Sequence, residues 1–228
     1  RLTDAVNGYD IDKVTSADKA DVEKLISDID TLLDGDNLTE SERAALEAPK
    51  GTARALLDRI AAAKDAAEAD EIKAVDGITK DNVKLEDKEA LEEAEKALEG
   101  ALRDFDGNYT EEENKDLETK LETVKAALSA IGNAEKVAEE IGKLPSAEGA
   151  KLSDKSALDQ VKKLLEGLTE NEKAMLGKDA LGKVDALAEK IKKLAEEADS
   201  PKTGDTSNLA LWIALLFISG GIVTGTTV

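Results

Sequence analysis

The sequence predicts an all-α protein: tandem small three-helix bundles forming an elongated rod, followed by a C-terminal hydrophobic transmembrane helix. Three observations carry this. Apolar residues recur at three- and four-residue spacing through residues 10–199, and strand alternation appears nowhere over a useful length. The pattern repeats, because Asp-Lys pairs fall at Asp18-Lys19, Asp87-Lys88 and Asp154-Lys155, 69 and 67 residues apart. From Leu209 to Val228 there is no charge across 20 residues, the length that crosses a bilayer's hydrocarbon.

The first helices of the three periods follow their Asp-Lys pairs. Their stripes are Val22, Leu25, Ile26, Ile29, Leu32 and Leu33, then Leu91, Ala94, Leu98, Ala101, Leu102 and Phe105, then Leu158, Val161, Leu164, Leu165 and Leu168. The step from the lysine to the following threonine is 20, 22 and 14 residues, so the third helix hairpin is shorter. Second helices open on Thr39-Glu-Ser-Glu42, Thr110-Glu-Glu-Glu113 and Thr169-Glu-Asn-Glu172. Each threonine can cap an orphan amide while the glutamate three residues on reaches back. A hydrophobic staple is missing, since the fourth helical position is Arg43, Asn114 or Lys173. Short third helices are expected near Ile72–Val75 and Val137–Leu144, and a longer closing helix through Leu181, Val184, Leu187, Ile191 and Leu194. Pro49 and Gly51 threaten a kink in the first of the second helices, and Gly177 and Gly182 blur the start of the last.

These patterns divide the chain into a linker over 1–13, repeats over 14–82, 83–149 and 150–199, a polar linker over 200–208 and a hydrophobic segment over 209–228. No single amphipathic helix can bury its stripe alone, whereas three in a bundle can. The start at Arg1, with Met175 the single methionine, reads as the C-terminal piece of a longer protein.

Composition argues against chemistry in the repeats. The formal net charge is -20, which repels nucleic acid backbones, so no nucleic acid partner is expected. With no Cys and no His, thiol nucleophiles, disulfides and the commonest zinc ligands are excluded. Aromatic residues make up 2%, too few for an ordinary deep ligand pocket. The stretch is therefore read as non-catalytic, with no cofactor and no metal. Asp104-Phe-Asp-Gly-Asn108 has a superficial calcium-loop look, but the twelve-residue register places Tyr109 where glycine belongs and Lys115 where glutamate belongs. It is expected to be a helix–helix turn, as is Asp34–Asn37. Asn108-Tyr-Thr110 matches a glycosylation sequon, yet Thr110 is already explained as a cap. Phe105 and Tyr109 flank one turn, where core packing or turn closure outweighs ligand recognition.

Ahead of the uncharged segment lies ADSPKTGDTSN, polar and helix-breaking. Pro201-Lys202-Thr203-Gly204, a short polar gap and the apolar stretch LALWIALLFI together resemble the C-terminal cell-wall sorting signal of Gram-positive surface proteins. That family's motif is Leu-Pro-x-Thr-Gly with a basic tail behind the membrane segment. Here Ser200 replaces the leucine, and no lysine or arginine follows the span. The resemblance implies a variant recognised by a matching sortase, and truncation of a basic tail beyond Val228. It implies sortase attack on the carbonyl of Thr203 with loss of Gly204 onward, Pro201 shaping the bound peptide and Lys202 filling the variable position. Trp212, the one tryptophan, falls in the first turn of the span, where an interfacial indole sits. The repeats also look like helical modules of large surface proteins and secreted degrading enzymes of gut Firmicutes.

The expectation is thus a stalk or spacer at the cell surface, first held in the lipid bilayer, then anchored to the wall. Its partners are a sortase transpeptidase and a peptidoglycan precursor. The alternative is a helical adhesin module that binds a host protein. An unseen N-terminal domain could be a hydrolase or an adhesin, and nothing in these residues selects one.

Overall fold

The computed structural model describes residues 1–199. Among them are nine α-helices and no strand. They are α1 (Leu2–Asn7), α2 (Lys19–Leu33), α3 (Glu40–Ala67), α4 (Asp70–Ala74), α5 (Lys88–Asp104), α6 (Glu111–Lys143), α7 (Lys155–Glu166), α8 (Glu170–Met175) and α9 (Gly177–Asp199).

The repeat marker is a cap. Helices α2, α5 and α7 are each entered through one 3-10 turn, at Ser16–Asp18, Leu85–Asp87 and Leu152–Asp154. The aspartate of each Asp-Lys pair accepts the backbone N–H three residues earlier, from Thr15 at 2.9 Å, Lys84 at 2.8 Å and Lys151 at 2.8 Å. This satisfies a donor that the helix start would otherwise strand. The threonine boxes also form. Thr39, Thr110 and Thr169 accept the N–H of Glu42, Glu113 and Glu172 at 3.3 Å each. The glutamates take the threonine N–H groups in return, at 2.9, 2.8 and 2.7 Å. Arg43, in the place of a staple residue, instead donates to the carbonyls of Leu33 and Gly35 and closes the α2–α3 turn.

The chain divides into two compact units, Arg1–Gly132 and a second beginning at Asn133. In the first unit, α1, α2 and α3 enclose a core that includes Val6, Val22, Ile29, Leu56 and Ile60. Fully burying side chains of this size is worth about 1.5–3 kcal/mol each. Residues 1–13, read above as a linker, therefore contain a helix whose Val6 is fully buried. Further along, α4 packs on α5, and α6 joins them through Lys120–Asp76 and Lys125–Glu99 ion pairs of 3.7 and 2.7 Å. The second unit holds one core, from Val137 and Ile141 of α6, Leu144 just past its end, Leu158 and Val161 of α7, and Val184, Leu187 and Ile191 of α9.

Packing is therefore out of phase with the sequence periods. The helical segment that ends one period (α4, or the end of α6) packs on the first helix of the next. Val137–Leu144, expected as a separate short helix, is the end of α6 up to Lys143, since no proline interrupts the run and neither Gly132 nor Gly142 breaks it. Likewise α3 passes through Pro49 without a break. The buried Pro49 sits on its core face, and Lys50 beside it pairs with Asp30 of α2 at 2.5 Å. In the third period the break is real: α8 ends at Met175, and Gly177, at φ +75, starts α9. Among the described residues no helix is long and apolar enough to cross a membrane; the span expected over 209–228 lies outside them.

Candidate functional site

The most site-like feature of the described residues lies inside the first unit, where the α5–α6 turn meets the first period. Residues 105–110 form that turn, and Gly107 gives it its tight approach. At φ +81 it adopts a backbone that favours glycine, and a Cβ there would stand 2.7 Å from the Asp12 carbonyl oxygen. The approach delivers Asn108, 2% exposed, to the loop before α2. Its Nδ2 donates to the carbonyls of Ile11 and Val14, both at 2.9 Å, and its Oδ1 accepts from Arg59 Nε at 2.7 Å.

Arg59 of α3 extends the junction. It also donates to the Asp104 carbonyl at 2.7 Å and stacks its guanidinium 4.4 Å from the Phe105 ring centre. Phe105 meets Tyr109 edge-on at 6.4 Å, and the Tyr109 hydroxyl donates to the Ala63 carbonyl at 2.9 Å. Burial, with the charge of Glu113 adding to it and Arg59 opposing, pushes the Tyr109 hydroxyl up to about 12. Ser16 completes the cluster by donating to Glu113 Oε1 at 2.7 Å.

A serine beside a carboxylate invites a catalytic reading, and the electrostatics oppose it. Burial pushes the Glu113 carboxyl up, but donors from Ser16 and from the Thr110 N–H and hydroxyl outweigh it and hold the group below its usual range. A carboxylate so stabilised is a poor base. The adjoining cavity, about 220 Å³ and lined in part by Ser16, Asn108, Tyr109 and Glu113, is smaller than ordinary small-molecule pockets. In the second unit a larger open groove of about 520 Å³ runs between α7 and α9. Its floor includes Leu158 and Ile191, and its rim lysines Lys155 and Lys192 already pair with Asp159 and Glu196 at 3.0 and 4.0 Å. No set of acidic residues that could hold a metal ion occurs among the described residues.

Glu172 repeats the Glu113 arrangement in the second unit. It is 5% exposed, and its Oε1 accepts from Asn133 Nδ2 at 2.8 Å. In both periods one carboxylate oxygen serves the helix cap and the other reaches a residue of the preceding period. The chemistry of the arrangement is structural: it welds a turn to the neighbour before it.

Several expectations are settled here. Asn108 uses its amide for internal bonds and is inaccessible as a glycosylation acceptor. Phe105 and Tyr109 close the turn and pack. Ser16 and Arg59 carried no sequence signal, whereas the asparagine two residues before the threonine cap, in both Asn37 and Asn108, was a signal that could have found the junction. Ser200, Pro201, Lys202, Thr203, Gly204 and Trp212 lie outside the described residues.

The sequence matches no protein-family model, and no curated protein or solved structure is significantly similar to it. The functional reading therefore rests on the residues themselves.

Proposed function

We propose that this chain is the non-catalytic stalk and anchoring region of a Gram-positive surface protein. Tandem three-helix bundles over residues 1–199 form a spacer, and residues 200–228 hold the precursor in the bilayer and present Ser200-Pro-Lys-Thr-Gly204 to a sortase. The sortase thiolate attacks the Thr203 carbonyl, the Thr203–Gly204 amide breaks, and Gly204 onward leaves as the amine. An amine of the peptidoglycan precursor then displaces the thiol and forms a new amide at Thr203. The mature protein is wall-anchored at the cell surface.

The observation that supports the spacer most is the Asn108 junction. A spacer must resist bending where one repeat meets the next, and Asn108, Arg59, Tyr109 and Glu113 tie the turn of one period to the body of the one before. The anchoring half is supported by the motif, the polar gap and the uncharged span in the sequence. Fractionating cells that express the intact gene product tests it: the native protein enters the wall fraction, and a Thr203→Ala variant stays in the membrane. Equal wall content in both rejects the anchoring reading.

The adhesin reading has one observation in its favour. Leu85 and Leu152 hold equivalent places in successive 3-10 turns, and both face solvent, at 45% and 43% exposure. Saturable nanomolar binding of the chain to a host serum or mucosal protein, lost on Leu85→Ser and Leu152→Ser, would replace the spacer by an adhesin.

A further inference from the structure

The junction in the first unit has a counterpart that faces solvent. Counting back from the threonine caps, Asn37, Leu38 and Glu42 correspond to Asn108, Tyr109 and Glu113. Asn108 and Tyr109 are buried and Glu113 is half-buried against the preceding period, whereas Asn37 and Glu42 are exposed and Leu38 is half-buried. Glu42 uses Oε2 for its own cap, and among the described residues nothing takes its Oε1 or the Asn37 amide. In the two later periods the equivalent glutamate oxygen is taken, by Ser16 and by Asn133.

A second observation says what covers this face. Ala5-Val6-Asn-Gly8 corresponds to Ala74-Val75-Asp-Gly77, 69 residues on, and Val6 and Val75 are both buried. Helix α1 is thus the counterpart of α4, which closes a period and packs on the next. The helix that leads into α4 is α3, and α3 supplies Arg59 and the Ala63 carbonyl to the junction. By the same geometry, a second helix leading into α1 arrives beside Asn37, Leu38 and Glu42.

We propose that Asn37, Leu38 and Glu42 form the docking face for one more bundle of the same kind, carried N-terminal to α1 in the polypeptide. Recognition there is tolerant of sequence, because the acceptors for the asparagine amide are two backbone carbonyls, equivalent to those of Ile11 and Val14. Two differences shape the contact. Asp36 stands where Gly107 does, so the turn approaches its neighbour less closely, and Leu38 offers an apolar surface without the Tyr109 hydroxyl. The inference rests on the tandem-repeat half of the stalk reading and is independent of the anchoring half, which the Thr203 fractionation addresses separately.

The test duplicates residues 1–69 ahead of Arg1 in the full chain and follows side-chain amide exchange by NMR. The Asn37 that follows the added segment is expected to exchange at least tenfold more slowly than Asn37 of the original chain, while the copy inside the added segment exchanges as fast as the original. Asn37→Ala is expected to lower the urea midpoint of the duplicated chain and to leave that of the original unchanged. Asn108, protected in both, reports that the original bundles are folded. Equal exchange at Asn37 in the two chains overturns the proposal, as does a duplicated segment that stays unfolded by circular dichroism. Protection of Asn37 in the original chain that grows with protein concentration would place a second molecule on the face and overturn the in-chain assignment.

Discussion

Asparagines 37 and 108 are the same residue at the same place in two periods, and the structure assigns them different energetic weights. Asn108→Ala removes three hydrogen bonds. The bond to the Val14 carbonyl is fully buried, and stranding that acceptor costs about 1–3 kcal/mol. The Ile11 carbonyl and Arg59 Nε are part-buried, so water partly replaces what they lose, at about 0.5–1.5 kcal/mol each. Together these amount to about 4 kcal/mol, within a span of about 2–6. Asn37→Ala removes no bond and is expected to change stability by less than about 0.5 kcal/mol. Because the chain has two compact units, a single unfolding free energy is not well defined for it. Native-state hydrogen exchange at the buried amides of α2, α3 and α5 measures the first unit alone. A loss of about 4 kcal/mol for Asn108→Ala beside near-silence for Asn37→Ala is the expected pair. Equal effects would refute the argument that the junction, and not the turn itself, gives Asn108 its weight.

Three further outcomes follow from the same geometry. Gly107→Ala meets both a positive φ and the Asp12 carbonyl, whereas Gly77→Ala meets a similar φ of +82 with open space. The first should cost about 1–2 kcal/mol more than the second, read by the same exchange experiment. Tyr109 should ionise near 12 in an ultraviolet titration. Its folded value lies above the unfolded one, so the stability it contributes is complete below about pH 10 and is lost as pH rises toward 12. Ser16→Ala removes a donor from Glu113 and should move that carboxyl upward in a carbon-detected NMR titration. Glu113 sits below its usual range, so its contribution is present above the unfolded value and fades as pH falls through the folded one; the serine variant should lose it at higher pH.

Helix positions were legible because they depend on local signals. The threonine caps at Thr39, Thr110 and Thr169 and the aliphatic stripes behind them specify helix starts and core faces without reference to the rest of the chain. The phase of packing was not legible. Nothing in the composition of Asp70–Ala74 says whether that short helix turns back on its own period or forward on the next; contact with α5 decides it. The same blindness made α1 look like a linker. Arg59 shows the second limit: an arginine on a charged helix is ordinary in sequence, and becomes a junction residue once Asn108, Asp104 and Phe105 meet it across more than forty residues of chain. Asn108 was partly legible, since the sequon reading failed and left its place before the cap unexplained.

In the proposed function, Thr203 is where this chain is joined to the cell wall. The most direct measurement is intact mass spectrometry of the chain after incubation with sortases of several classes and a glycine-peptide amine. With at least one sortase, the expected product is truncated after Thr203 and carries the peptide there in amide linkage, with residues 204–228 released. No product formed with the native chain, or a product formed equally by the Thr203→Ala variant, would contradict it.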